Sequence, residues 1–393
     1  MKFLTTLSVS IYFMILSLPA DAKTVRVATF NVSMEATNYV AAGEKASGLE
    51  LFAKLENGDN PQIRNIAEII QRVRPDIILL NEFDYLADTD KGLLAFIKHY
   101  LNVAQHEDVE ALDYPYFYTA PVNTGVDSGL DLDRDGIASG KGADAFGFGF
   151  FAGHYGMALL SKYPIDTENI RTFQHFLWKD MPDAQLDEIK QEDGRSWYSD
   201  KAKKVFRLSS KSHWDIPILV VGDTLHILAS HPTPPVFDGP ENRNGKRNHD
   251  EIRFWVDYIS HRGNAAYIYD DNGVTGGFTG QNFTILGDLN ASVDEGDANQ
   301  KGIKTLLNHP RVNTTIKPTS LGGAQHSPDN VFGKIHTASW GMRADYVLPS
   351  KNLSVIDSGV FWPRKEDKLY RLVEDRNTSS DHRLVWVDMV VQN

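Results

Sequence analysis

The chain is punctuated by apolar runs that each stop at, or start from, a polar residue. "FTILGDLNAS" is representative: Phe283 to Leu286 read as a buried strand, Gly287 breaks the run, and Asp288 and Asn290 stand one residue apart at its end. Residues i and i+2 of a strand share a face, so this pair is expected to present a carboxylate and a carboxamide to one side. "VRVATFNVS" reads as a strand ending at Asn31, and "DIILLNEFD" as a buried strand ending at Glu82. "IPILVVGDTLHILASH" reads as a hairpin around Gly222-Asp223 whose second strand ends at His231. "GMALLSKYPI", "RADYVLPS", "LSVIDSGVFW" and "HRLVWVDMVV" add further strands.

Helical periodicity is rarer. "NPQIRNIAEIIQRVRPD" spaces Ile63, Ile66, Ala67, Ile70 and Val73 as one helical face, with Asn60 as N-cap, Pro61 at the first position and Pro75 as the stop. "NHDEIRFWVDYISHR" offers Asn248 and Glu251 in capping-box spacing, followed by Ile252, Trp255, Val256 and Ile259 on one face. Many strands with few interspersed helices favour an α/β (α+β) architecture of two packed sheets flanked by helices.

Residues 1–22 read as a signal peptide. Lys2 supplies the positive start, Leu4 to Leu18 the apolar region, and Ala20-Asp21-Ala22 the cleavage signal. The apolar run is shorter than the roughly 20 residues of a spanning helix. Cleavage near Ala22 predicts a periplasmic or secreted protein whose folded domain is 23–393. The sequence has no cysteine, which excludes disulfides, thiolate nucleophiles and Cys-ligated zinc. Stability must therefore come from a large core. The net charge of −12 lacks the basic footprint usual for proteins that live on duplex DNA.

The polar strand ends form a recurring set: Asn31, Glu82, His231, Asp288, Asn290, Asp345, Asp381 and His382. Each alone has an ordinary reading as turn residue, surface charge or structural pair. Turn propensity, however, does not select Glu and His. In order, "TFN", "NEFD", "GMALLSKYPI", "GDLN", "RADYVL" and "SDH" resemble the endonuclease/exonuclease/phosphatase superfamily, the DNase-like phosphoesterases, from about Val25 to Val391.

That resemblance implies a four-layer sandwich with one site at its edge, acting as a metal-dependent phosphoric ester hydrolase. Glu82, helped by Asn31 and Asp381, would hold Mg²⁺ or Mn²⁺, which suits an all-oxygen donor set. Asp288 resembles the carboxylate that aligns the attacking water, and Asn290 the amide that donates to the phosphoryl oxygen. Asp345 resembles the group that orients His382 toward the phosphate, and His231 the histidine some branches use as general acid. Those branches support that histidine with a carboxylate before the "LLS" stretch, where this chain reads "FAGHYGMALLS" and offers only His154 and Tyr155.

The proline-stiffened loop after His231 carries Arg243, Lys246 and Arg247. Arg243 and Arg247 are candidates for substrate phosphate, and Tyr155 resembles the phosphate-binding tyrosine that other branches of the superfamily place near the "LLS" stretch, one position from its aligned place. A local basic spot on an acidic body favours a compact phosphorylated substrate over duplex DNA, leaving a secreted nuclease as the alternative and a non-catalytic binding protein as the rival class. No stable membrane association, protein partner or oligomer is implied, and a monomer is expected. "GLDLDRDGIASG" places Asp131, Asp133 and Asp135 at positions 1, 3 and 5 of a calcium-loop pattern, with Asp127 or Asp144 to complete a structural Ca²⁺ site.

Overall fold

The computed structural model describes residues 23–391 except 42, 221, 261 and 262; the signal-peptide reading lies outside the described residues. Strands β1 (Lys23–Met34), β2 (Ile77–Phe83), β3 (Tyr116–Thr119), β4 (Met157–Ser161), β10 (Ser354–Val360) and β11 (Val385–Val391) form one sheet, in the order β10-β11-β1-β2-β4-β3. Strands β5 (Arg171–Thr172), β6 (His213–Val220), β7 (Asp223–Ser230), β8 (Asn282–Asp288) and β9 (Asp345–Pro349) form the other, in that order. Both sheets are mixed: β1 and β2 run parallel, as do β7 and β8, and the remaining pairs are antiparallel.

Each parallel pair is joined through a crossover that contains a helix. Pro61–Val73 links β1 to β2, with the Asn60 side chain accepting from the Ile63 amide and Pro61 at the start, as the sequence predicts. Arg243–Tyr258 lies in the β7–β8 crossover. It begins five residues before Asn248, so the capping-box expectation is corrected. Asn248 sits inside the helix, its amide nitrogen donating to the Thr233 and Leu289 carbonyls. Glu251 is also buried and accepts from the Ser210 and Thr233 amides. Buried backbone groups outside the helix claimed both side chains.

The side chains sort into two cores by the period-2 rule. Leu225, Ile227 and Ala229 of β7 join Val27, Leu79 and Val387 between the sheets, whereas Leu228, Phe283 and Ile285 pack with Ile252, Trp255 and Ile259 of the crossover helix. On β8, Leu286 belongs to the inner core, so alternation aims Asp288 into the gap between the sheets at its open end. Among the described residues no helix is long and apolar enough to cross a membrane.

Candidate active site

The polar strand ends converge at one edge of the sandwich. The Asp288 carboxylate is the meeting point: its Oδ2 accepts from Asn31 Nδ2 at 3.1 Å and lies 3.5 Å from Nε2 of both His231 and His382. Asn81, beside Glu82 on β2, accepts from the Asp288 amide through its side chain at 3.3 Å, which ties the two sheets together at this end. His382 Nδ1 pairs with Asp345 Oδ2 at 2.9 Å, and that oxygen also accepts from Thr337 Oγ1 at 2.7 Å. Asp381 accepts from Ser33 Oγ at 3.1 Å and from Arg376 Nη1 at 2.7 Å, while Ser380 Oγ donates to the Asn31 carbonyl at 2.7 Å. The "TFN" and "SDH" segments are thus stitched together.

Strand alternation alone does not deliver the remaining side chains. Asn81 faces the second sheet, so a regular β2 would turn Glu82 away, but Glu82 adopts φ 55° and lines the cleft beside Asp288. Asn290 lies beyond the end of β8 at φ 52° and lines the same cleft. The shared-face argument for Asp288 and Asn290 is therefore corrected: a left-handed turn brings them together. Such backbone in residues with a Cβ costs about 1–3 kcal/mol each and collects where function over-determines the geometry. The Asn290 amide donates to Asp288 Oδ1 at 3.0 Å, and its side chain to the Pro232 carbonyl at 3.2 Å.

Charge in the cleft is unbalanced. Glu82, Asp288, Asp381 and the more exposed Asp297 face Arg376 and His382 across about 480 Å³. Burial raises the carboxyl pKa of Glu82 and of Asp288, opposed in both by the His382 charge. Burial also works against a charged His382, but Asp345 and Asp288 outweigh it and lift the imidazole to about 10. His231 goes the other way: burial, then the positive charges of Lys211 and His382, push it well below its ordinary value. Asp288, Asp345 and His382 bring ligand-type atoms within 4.8 Å of one another. Because Asp345 and His382 already bond each other, this trio reads as an imidazolium held between two carboxylates. Glu82 and Asp381 line the cleft as oxygen donors of the kind that suit a hard divalent cation, whereas Asn31 is fully buried with its Oδ1 accepting from the Ser33 amide at 3.2 Å; a cation in the cleft would relieve the repulsion among the acids.

The substrate-loop expectations change. Arg247 is buried, with its guanidinium donating to the Leu208, Phe146 and Arg207 carbonyls, so it is a structural brace and not a phosphate ligand. Arg243 pairs with Glu241 at 2.7 Å and does not line the cleft. Tyr155 stacks on the buried His154, which pairs with Glu35 at 2.9 Å; it stands near Glu82 but outside the cleft lining. In the acidic loop, Asp144 joins Asp131 and Asp133, while Asp135 accepts from the Ile137 amide and stays outside the cluster.

Sequence reading missed Lys211, Arg376, Phe237 and Trp340. Lys211 is 5% exposed and sits where its charge acts on Glu82, Asp288 and His231. Its only sequence signal is a lysine two residues before a strand, in "SSKSHWD". His231 Nδ1 has no hydrogen-bond partner among the described residues, in keeping with the absence of an acid before "LLS".

Two mixed sheets that meet in an acid-rich, imidazolium-bearing cleft define a scaffold for phosphate chemistry. The family model described as "Endonuclease/Exonuclease/phosphatase family" matches residues 28–382, and the chain belongs to that family. Members of the family are metal-dependent hydrolases acting on phosphate esters. An endonuclease/exonuclease/phosphatase from Beutenbergia cavernae shares the fold at TM-score 0.50 and 15% identity, over 94% of this chain and 72% of that one. A family protein from Leptotrichia buccalis aligns at TM-score 0.46 and 15% identity, over 93% and 99% of the two chains. A beta toxin variant from Staphylococcus aureus, solved with bound magnesium ions, aligns at 0.43 and 13%, over 93% and 99%. No curated protein matches the sequence.

Proposed function

We propose that this protein is an exported phosphoesterase that hydrolyses a compact phosphate ester with the help of Mg²⁺ or Mn²⁺. The observation that carries the reading is the Asp288 carboxylate, buried in the cleft within 3.5 Å of both histidines and 3.1 Å of Asn31. Glu82, Asp381 and Asn31 would hold the cation, which when bound supplies charge neutralisation and polarises the phosphoryl group. Asp288, its proton affinity raised by burial, accepts the proton of an aligned water as the oxygen attacks phosphorus. His382, kept charged by Asp345, stabilises the negative charge that builds on the phosphoryl oxygens, with Asn290 beside it.

Burial, with the positive charges of Lys211 and His382, disfavours a protonated His231. The entry of an anionic ester would raise its proton affinity, and the protonated ring would then give its proton to the leaving oxygen. The net charge of −12 argues for a small substrate in preference to duplex DNA. Asp131, Asp133 and Asp144 are proposed as ligands of a separate structural Ca²⁺. The protein is proposed to act as a monomer outside the cytoplasm, without stable membrane association.

The test is a panel assayed with Mg²⁺ and with chelator: an activated phosphodiester, a phosphomonoester, plasmid DNA and sphingomyelin. Chelator-sensitive turnover of a small ester supports the reading. Preferential cleavage of plasmid favours the nuclease alternative, and no turnover of any substrate leaves a binding protein on the same scaffold.

A further inference from the structure

The cleft has a polar half and an apolar half, and the catalytic reading uses only the first. Besides Glu82, Asp288 and His382, its lining includes Pro234, Pro235, Val236, Phe237, Trp340 and Met342. Two of these are large aromatics left open to solvent: Phe237 is 90% exposed and Trp340 51%. Scattered exposed apolar residues need no explanation, but two aromatic rings lining one concave cleft beside a reactive carboxylate are a different observation.

Both rings are presented by backbone that is held in place. Phe237 adopts φ 67°, a conformation strained for any residue with a Cβ. The chain on either side is fastened to Asn244, whose amide donates to the Asp238 carboxylate and whose side chain donates to the Val236 carbonyl, each at 2.6 Å. Trp340 sits on a tight turn: the Gly341 amide donates to the Ala338 carbonyl, and the Thr337 and Ala338 amides to the Met342 carbonyl. The same turn is bridged to the strand end that carries His382, and the Trp340 ring meets the His382 ring edge-on at 4.8 Å. A phosphate at His382 therefore places its ester group within reach of the indole.

We propose that Phe237 and Trp340 are the specificity-determining residues of this cleft, and that they receive the flat heteroaromatic ring of a nucleoside phosphate ester. This rests on the phosphate-ester reading of the same site and names its substrate class. Aromatic faces favour flat rings through stacking and accept any base, because every base has a π-face. The cleft, at about 480 Å³, is in the size range of pockets that enclose a compact ligand. Asp297, an exposed carboxylate of the same cleft, could accept from a ring N–H that an aliphatic alcohol lacks.

The experiment is equilibrium titration calorimetry of the full chain with Mg²⁺, in the Asp288→Asn background so that ligands are not turned over. Methyl phosphate, phenyl phosphate and thymidine 5′-monophosphate share the phosphate and differ only in the ester group. Thymidine 5′-monophosphate should bind at least tenfold more tightly than methyl phosphate, and Trp340→Ala and Phe237→Ala should each erase most of that preference. Trp340→Phe should restore part of it, which a merely structural role beside His382 would not require. Phenyl phosphate binding as well as the nucleotide assigns the preference to the ring face alone; weaker binding adds recognition of the base edge, and both support the wall. Equal affinity for methyl phosphate and the nucleotide, or a preference that survives both alanine variants, overturns the proposal. Because binding is read without turnover, a protein that binds nucleotides in this way but hydrolyses no ester refutes the catalytic reading and leaves this one standing.

Discussion

Gly287 breaks the apolar run ahead of Asp288, and replacing it with alanine should damage both stability and turnover. Its φ is 144°, a conformation that residues with a Cβ rarely adopt, and a Cβ built there would overlap the Ser230 carbonyl oxygen of the neighbouring strand. Strands β7 and β8 pair directly up to Ala229 and Leu286, so the overlap can be relieved only by prising these strands apart or twisting the end of β8. Backbone strain of about 1–3 kcal/mol and overpacking of about 1–3 kcal/mol sum to about 2–6 kcal/mol. At about 2 °C per kcal/mol for a chain of this size, the melting temperature should fall by about 4–12 °C. Asp288 is the next residue, and a displacement of about 1 Å at a reacting group costs about 10²-fold in rate. Gly194→Ala is the control: its φ is 82° and a Cβ there meets nothing within 4 Å, so it carries the backbone strain alone. Thermal unfolding and turnover of an activated phosphodiester should be measured on both variants. If Gly287→Ala unfolds like Gly194→Ala and keeps full turnover, the close approach of these strands does not position the carboxylate.

Two further outcomes follow from other parts of the molecule. His213 is buried against Phe254 and Trp255, and burial pushes its imidazole down to about 4 from an ordinary 6.5. The unfolded chain then binds the extra proton, so stability is fully present above pH 6.5 and declines as pH falls from 6.5 toward 4. At pH 5 the loss from this group is about 2 kcal/mol. Urea unfolding at pH 7 and pH 5 should show a pH-dependent loss smaller by about that amount in His213→Gln. At the acidic loop, Ca²⁺ should raise the melting temperature of the wild type, and Asp133→Ala should abolish that rise while leaving the Mg²⁺ requirement of turnover intact; a calcium response unchanged by the substitution would return Asp131, Asp133 and Asp144 to ordinary surface.

Local rules carried the strands and the polar residues at their ends, because period-2 burial and helix stops are written in neighbouring residues. The helix Pro61–Val73 followed its N-cap and proline signals for the same reason. What escaped was set by distant contacts. Nothing near Asn248 says that the Thr233 and Leu289 carbonyls will claim its amide inside a helix. Arg247 looked like a loop cation until the fold supplied three carbonyls to bury it. Glu82 was legible as a strand end, but its left-handed backbone, which turns it into the cleft, was not. Asp131, Asp133 and, as one of two candidates, Asp144 were read from the loop, but that Asp135 would turn to the Ile137 amide and stay outside the cluster was not. Lys211, Arg376, Phe237 and Trp340 belong to no short motif and become visible only when the two sheets meet.

The central claim is that Asp288 and the acids around it form a cation-dependent hydrolytic site. The most direct test measures Mg²⁺ binding and phosphodiester turnover together in wild type, Glu82→Gln and Asp288→Asn, with melting temperature as the check on folding. The account predicts that Glu82→Gln weakens Mg²⁺ binding, that both variants stay folded, and that each loses about 10²-fold or more in turnover. Full turnover in chelator, or wild-type rates in folded Asp288→Asn, would contradict it.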